Sequence, residues 1–521
     1  MNFEMLFTLA LLFNSDVAAQ LLTLVFLGLI MLGLLLAGRR FFDDRIGALA
    51  AAIFCIIPIT KRVGGAGLID PAMGLFTIGA AISFERWRRE RKIAWLILCG
   101  AFCGMSAGSK LMGGGIAILF GLLVLWEELR RWWAAGARRP SSGVLLNNLV
   151  RSGLLIGLAG TVLVAPWYLR SYINTGNPVW PFAFHIFGAR DWDELGDEYN
   201  HQLMYEVWAT ELPRSPLGLG QLFGIMLSDP EQLGGYRGGV GNILPLGGLL
   251  VLLLIRWAPS MVRHNLFVGG GFFLLWFVFV SHQLRFLLPV TPVMALAVAW
   301  AAVWLLDRLR SPALQGPLVA ALVLVLLLEW PWGMRGERAL FVSKLPYLSG
   351  AQSRAAFLDE YIDVMPLFRY ANAELPSDAR LLLLPWETRG YYLNRGYIWG
   401  NPGSQRIIPF EQYTTAEALR ERLRELEITH ILENSAFLYT GLRYWDRDRA
   451  LMLELADRCG DTLIRLDDAA LIELRDQCRR RRVVAVDARI ACELHVQHCG
   501  GAKVIFQGGL ALPATFLYPT S

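Results

Sequence analysis

Charge is scarce in this chain. Asp, Glu, Lys and Arg supply 18% of the 521 residues, where a soluble protein carries about a quarter. That shortage excludes an ordinary soluble globular protein. Basic residues exceed acidic ones by only 49 to 44. The excess is small and sits in short loops, so nucleic acid is not an expected partner. Cysteine is also sparse. The seven Cys, at positions 55, 99, 103, 459, 478, 492 and 499, show no disulfide framework, and the first three fall in apolar runs. There, Cys acts as a small hydrophobe. No Ser nucleophile elbow, kinase signature set or dinucleotide fingerprint is present. Met1 opens directly into an amphipathic stretch, Asn2 to Phe13, so no signal peptide is expected before the first apolar run.

What fills the space is apolar: 55% of residues are hydrophobic, 18 are Trp, and the mean hydropathy is +0.42. A membrane span needs about 20 such residues, fewer inside a bundle. The apolar runs are 17–38, 45–60, 68–84, 93–109, 111–127, 152–169, 240–257, 265–281, 285–306 and 315–331. The expectation is an α-helical polytopic membrane protein of about ten spans.

Lys and Arg alternate from loop to loop. Arg39, Arg40 and Arg45 open one series, which continues through Arg86–Lys92, Arg130–Arg151, Arg256 with Arg263, and Arg308 with Arg310. Intervening connections are poorer in basic residues, and the rule that basic loops stay inside places the rich series in the cytoplasm. The loop at 170–239 and everything beyond 331 then lie outside. In a bacterium that means the inner membrane with a periplasmic C-terminal domain.

Residues 1–335 are expected to form the membrane domain and 336–475 a small α/β domain. In the latter, helical stretches at 351–375, 415–427 and 446–458 alternate with extended runs at 381–384, 429–432, 463–466 and 470–474. Thr414 and Glu417 have capping-box spacing. The remainder, 476–521, reads as an irregular basic tail, disordered or aberrant.

Ionisable residues at membrane depth are functional candidates by default. Asp70 precedes Pro71 at an outer span start, so it reads either as a helix N-cap or as a working carboxylate. Lys110 sits between two apolar runs among Gly108, Ser109 and Gly113–Gly115. It reads either as a snorkelling side chain or as a cation for a lipid phosphate, with glycines leaving room for the headgroup. Arg285, beside His282, is the second such cation or an interface anchor. Asp191, Asp193, Glu194, Asp197 and Glu198, with His185 and His201, resemble a metal or sugar site in residue type, although such runs are usually a solvated loop face. Cys492, His495, His498 and Cys499 have the residue types of a zinc site but not its spacing. A divalent metal is therefore not expected.

Several segments together resemble the GT-C superfamily of membrane glycosyltransferases, which includes protein O-mannosyltransferases and the lipid A aminoarabinose transferase. The nearest branch is that of rhizobial lipopolysaccharide-core sugar transferases. The resemblance rests on Asn2–Phe7, Leu68-Ile-Asp-Pro71, Gly104–Lys110, Asn174–Phe182, Arg285-Phe-Leu-Leu-Pro289, Gly390–Arg395 and Leu423–Asn434. It implies a GT-C-like bundle that moves a sugar from a polyprenyl-phosphate-linked donor to a glycan, lipid or protein acceptor of the cell envelope. It also implies an inverting mechanism, with a carboxylate acting as base on the acceptor hydroxyl.

Under that resemblance Lys110 and Arg285 hold the lipid phosphate, Asp70 is a supporting carboxylate, and His282, Asn177 and Trp180 are substrate-binding candidates. The family's principal carboxylate lies in a first outer loop that aligns upstream of Met1. Glu4, the only carboxylate between Met1 and the 17–38 run apart from Asp16, is not expected to replace it. A truncated or inactive transferase is thus one expectation. A transporter or lipid flippase and a non-catalytic membrane scaffold are the alternatives from other classes.

Overall fold

The computed structural model describes residues 2–13, 16–64, 66–207, 212–233, 239–309, 335–385, 387–434 and 443–479, with scattered residues between 311 and 324. The chain divides into two compact units, Met1–Phe357 and Leu358–Ser521.

The first unit is helical. It begins with α1 (Glu4–Leu12), α2 (Asp16–Phe41), α3 (Asp44–Ile56), α4 (Pro58–Gly64), α5 (Asp70–Glu90), α6 (Ile93–Ser109), α7 (Gly113–Ala134) and α8 (Ser142–Thr175). Short α9 (Phe184–Phe187) and α10 (Glu194–Gln202) follow. Then come α11 (Pro216–Ser228), α12 (Ile243–Leu253), α13 (Ser260–Phe279), a 3-10 segment Leu284–Val290, α14 (Thr291–Arg308) and α15 (Arg335–Leu348). Among the described residues four helical segments are long and apolar enough to cross a membrane, or five if a bent pair counts as one span. The protein is a multi-pass membrane protein.

The run expected at 45–60 is that bent pair. It is α3 and α4, which meet at 68°. Most of the run expected at 315–331 lies outside the described residues. The acidic run expected as a solvated loop face is largely exposed, but Glu194, Asp197 and Glu198 fall in α10 and Asp193 is its N-cap, accepting the Gly196 N–H at 2.8 Å. The Cys492–Cys499 group and nearly all of the expected tail also lie outside the described residues.

In a bilayer, apolar surface gives helices little reason to associate, so close backbone approach carries the packing. The pair α6 and α8 shows this. A Cβ on Gly104 would lie 2.3 Å from the Gly160 carbonyl oxygen, and one on Gly100 would lie 2.4 Å from that of Ile156. The four-residue spacing of these glycines puts them on one helix face. Elsewhere the bundle core is ordinary and apolar, with Phe54, Phe84, Phe120, Phe272 and Trp276 almost wholly buried.

The second unit carries α17 (Met365–Glu374), β1 (Arg380–Leu384), β2 (Gly396–Trp399), α18 (Ala416–Glu425), β3 (His430–Asn434), α19 (Arg443–Cys459), β4 (Gly460–Arg465) and β5 (Ala469–Leu474). α16 (Arg354–Tyr361) runs across the boundary. The sheet order is β2-β1-β3-β5-β4. β1 is parallel to β2 and β3, and β5 is antiparallel to β3 and β4. Leu381, Leu383, Leu432 and Leu471 pack with Val364, Leu367 and Phe368 in one buried cluster. In water each such side chain contributes roughly 1.5–3 kcal/mol.

The helix expected at 351–375 is two helices, because a turn before Met365 and Pro366 restarts it. Strand β2 is not among the expected strands, since Gly396-Tyr-Ile-Trp399 is only four residues long and opens on glycine. The N-cap of α18 is Thr415, which accepts the Ala418 N–H at 3.3 Å, one residue beyond the expected Thr414. A further correction concerns cysteine. Cys459 and Cys478 form a disulfide, tying the end of α19 to the segment after β5. Sequence spacing could not show this, because the segment between them, a separation of 19 positions, includes a β-hairpin that returns the chain.

Candidate active site

Pro71 fills the first turn of α5, where its missing N–H costs nothing. Asp70 stands directly before it but does not cap the helix. The N-cap residue is Ile69, with no side-chain cap bond. The Asp70 carboxylate, 2% exposed, instead turns to the Lys110 ammonium, with Oδ1 at 3.4 Å from Nζ.

Lys110 is extended (φ −154°) at the junction of α6 and α7. The junction is tight, since the Gly113 N–H bonds the Lys110 carbonyl at 2.8 Å and a Cβ on Gly113 would lie 2.2 Å from the Ser106 oxygen. The turn therefore requires glycine there, and it throws the lysine side chain across the end of α5. Its ammonium lies over the Phe286 ring, 3.6 Å from the centroid. The Arg285 guanidinium lies 5.0 Å from that same ring. Charges on Arg285 and Glu4 both act on Lys110. Asp70, Lys110 and Arg285, expected separately, are thus brought to one end of the bundle.

The other expected residues sit in settings of their own. His282, 1% exposed, stacks on Phe277 with ring centroids 5.4 Å apart, and its Nδ1 lies 3.2 Å from an Arg214 guanidinium nitrogen. Asn177 is fully buried and organises the turn after α8. It donates to the Phe182 carbonyl at 2.9 Å and accepts the Val179 N–H at 2.9 Å. Trp180 meets Trp192 edge to face at 5.3 Å. Of the acidic group, Asp197 faces His185 at 3.4 Å. Among the described residues no group of three or more His, Cys, Asp and Glu side chains is arranged to hold a metal.

Two features escaped the sequence reading. Asn2 donates its backbone N–H to the Gly108 carbonyl at 2.9 Å and its side-chain amide to the Leu163 carbonyl at 3.1 Å, and it accepts from the Trp167 indole. Phe3, 1% exposed, follows it into a cluster with Ala72 and Phe76. The first residues thereby tie the start of α5, the end of α6 and the interior of α8 together beside Lys110. Only the resemblance of Asn2–Phe7 hinted at this.

The second feature lies in the other unit, at the carboxyl ends of β1 and β3. Buried Glu387 accepts from Arg389 at 2.6 Å and from Asn434 at 3.1 Å, while Arg389 also pairs with Asp363 at 2.6 Å. Burial alone would raise the Asp363 pKa, but the hydrogen bonds from Arg389 and Asn434 outweigh it and hold the carboxyl below its ordinary value.

With this geometry in place, relatives can be compared. The model of the dolichyl-phosphate-mannose-protein mannosyltransferase family matches residues 16–174, a stretch holding both Asp70 and Lys110. ArnT from Cupriavidus metallidurans, solved bound to undecaprenyl phosphate, superposes with a TM-score of 0.55 at 15% identity. The match covers 88% of this chain and 84% of that one. The chain resembles the GT-C membrane glycosyltransferases. At that identity the ArnT likeness speaks for the fold. The mycobacterial arabinofuranosyltransferase AftD gives a TM-score of 0.44 at 13% identity, covering 90% of this chain and 35% of that longer one. No curated protein matches the sequence.

Proposed function

We propose that this chain is a GT-C-type glycosyltransferase that moves a sugar from a polyprenyl-phosphate donor to a cell-envelope acceptor. One observation carries the reading: Lys110 and Arg285 converge on Phe286, with the buried Asp70 carboxylate holding the lysine. Two cations at a bundle end suit a lipid phosphate, whose charge grows as the glycosidic bond breaks. Asp70 orients Lys110, and the Phe286 face gives a cation a second attractive surface. The undecaprenyl phosphate bound by ArnT, on a like fold, supports the donor class.

The base that takes the acceptor proton is not assigned to Asp70, whose carboxylate is committed to Lys110. Placement of this end on the periplasmic side of a bacterial inner membrane rests on the alternation of basic loops. The Cys459–Cys478 disulfide supports it, because such bonds persist in oxidising compartments.

The test is reconstitution of the purified full chain in liposomes with a panel of polyprenyl-phosphate sugars. Transfer should be measurable in the wild type and fall by about 100-fold or more in Lys110→Ala and Arg285→Ala. Full activity in both variants overturns the site. Lipid flipping without sugar transfer would favour the transporter reading.

A further inference from the structure

At the other end of the bundle, α5, α7 and α13 line an open cavity of about 1040 Å³. Its position is fixed by helix length. Arg88 lies 18 residues beyond Asp70 on one continuous helix, or roughly 27 Å at 1.5 Å per residue. Arg130 lies near the far end of α7, whose first turn follows Lys110. The cavity is therefore separate from the candidate active site.

Its two walls differ in chemistry. Arg88, Arg130 and Arg263 form the polar end, while Leu122, Trp126 and Phe267 form the other. The last three are 49%, 49% and 43% exposed, so their apolar faces are open rather than packed into the core.

The polar end has a positive excess. Buried Glu85 accepts from Arg88 at 2.9 Å and from His264 at 2.5 Å, with Arg89 at 3.9 Å. Buried Glu127 accepts from Arg130 and Arg131, each at 2.8 Å. At the cavity itself Arg88, Arg130 and exposed Arg263 supply three guanidinium groups, against the Glu127 carboxylate in the wall and Glu85 behind it. The carboxylates fix Arg88 and Arg130 in place, and Arg263 gives the cavity its positive excess.

We propose that this cavity binds the headgroup of an anionic phospholipid drawn from the leaflet at that end, with an acyl chain lying along Leu122, Trp126 and Phe267. The charge complementarity selects an anion, and the adjoining apolar wall selects one that carries a chain. Lys and Arg near the headgroup plane each strengthen anionic-lipid binding severalfold. The inference requires only that the bundle spans a bilayer, and it stands whether or not the other end transfers sugar.

The test is native mass spectrometry of the intact protein titrated with dioleoyl phosphatidylglycerol or dioleoyl phosphatidylcholine. Phosphatidylglycerol should stay bound under activation that strips phosphatidylcholine. The Arg130→Gln/Arg263→Gln double variant should lower its occupancy by about tenfold. Leu122→Trp fills the apolar wall and leaves every charge intact, and it should lower occupancy as well. Leu122→Trp decides the matter if the double variant fails to fold. Equal retention of the two lipids overturns the proposal, as does wild-type occupancy in both variants. Displacement of the lipid by equimolar inorganic phosphate overturns it too, since the site would then select the anion alone.

Discussion

Asp70 and Lys110, forty positions apart in sequence, meet at 3.4 Å between the start of α5 and the junction of α6 with α7. The carboxylate is almost wholly buried, while the lysine retains 29% of its side-chain exposure. The pair therefore has a fixed partner inside and a working partner facing out. If Asp70 acts by positioning Lys110, the two substitutions should not add. Asp70→Asn should lower kcat/KM for transfer by about tenfold, and Asp70→Asn/Lys110→Ala should be no worse than Lys110→Ala alone. A double variant slower than Lys110→Ala, approaching the product of the two single losses, would instead give Asp70 a role of its own.

The glycine seam between α6 and α8 gives a second expectation. Gly104→Val places branched carbon where the Gly160 carbonyl already lies, at a point 2.3 Å from the first added atom. The helices must separate, at a cost of about 1–3 kcal/mol. Thermal denaturation in detergent should show a lower midpoint. Gly114→Ala, where nothing lies within 4 Å of the added carbon, should leave the midpoint unchanged.

Removal of the Cys459–Cys478 disulfide should loosen the second unit selectively. A loop of 19 residues is closed by this bond, and such closure is worth about 3 kcal/mol. Limited proteolysis of Cys459→Ser/Cys478→Ser should release fragments of the second unit faster than in the wild type. Wild-type cleavage rates would show that the hairpin holds itself without the bond.

His430, at the start of β3, carries a pH expectation. Burial pushes its pKa below the ordinary 6.5, with the Glu473 charge opposing in part. The folded form thus prefers neutral histidine, and the unfolded chain binds the proton more readily. Stability from this residue is intact above pH 6.5 and declines as pH falls below it, until the folded pKa is passed. Proteolytic resistance of the second unit should drop between pH 7.5 and 5.5, and His430→Gln should flatten that drop. An identical pH profile in the variant would remove His430 as the cause.

The helices were legible because long apolar runs leave few alternatives, and the strands at 381–384 and 470–474 because short runs dominated by Leu and other apolar residues mark buried strands. The meeting of Lys110, Arg285 and Asp70 was foreshadowed only by kind and cost: each is an ionisable residue at a span boundary. Their distances come from tertiary packing, which periodicity does not encode. Asn2 was invisible for a different reason. Its work is done by hydrogen bonds to the backbones of α6 and α8, and an asparagine that bridges two helices looks like any other polar residue. Glu387 was likewise hidden, since its partners Arg389, Asn434 and Asp363 come from separate elements.

Helix α5 carries Asp70 at one end and Arg88 near the other, with no break between them. Its length is therefore a gauge. If α5 crosses the bilayer, the roughly 27 Å between those residues is to be matched by the hydrocarbon thickness of the membrane, about 30 Å in a typical bilayer. A thicker bilayer would draw the charged groups at one end into acyl chains, or tilt the bundle to avoid it. Short-chain and long-chain lipids should thus support this protein unequally, and the membrane's own dimensions become a determinant of where in a cell it can work.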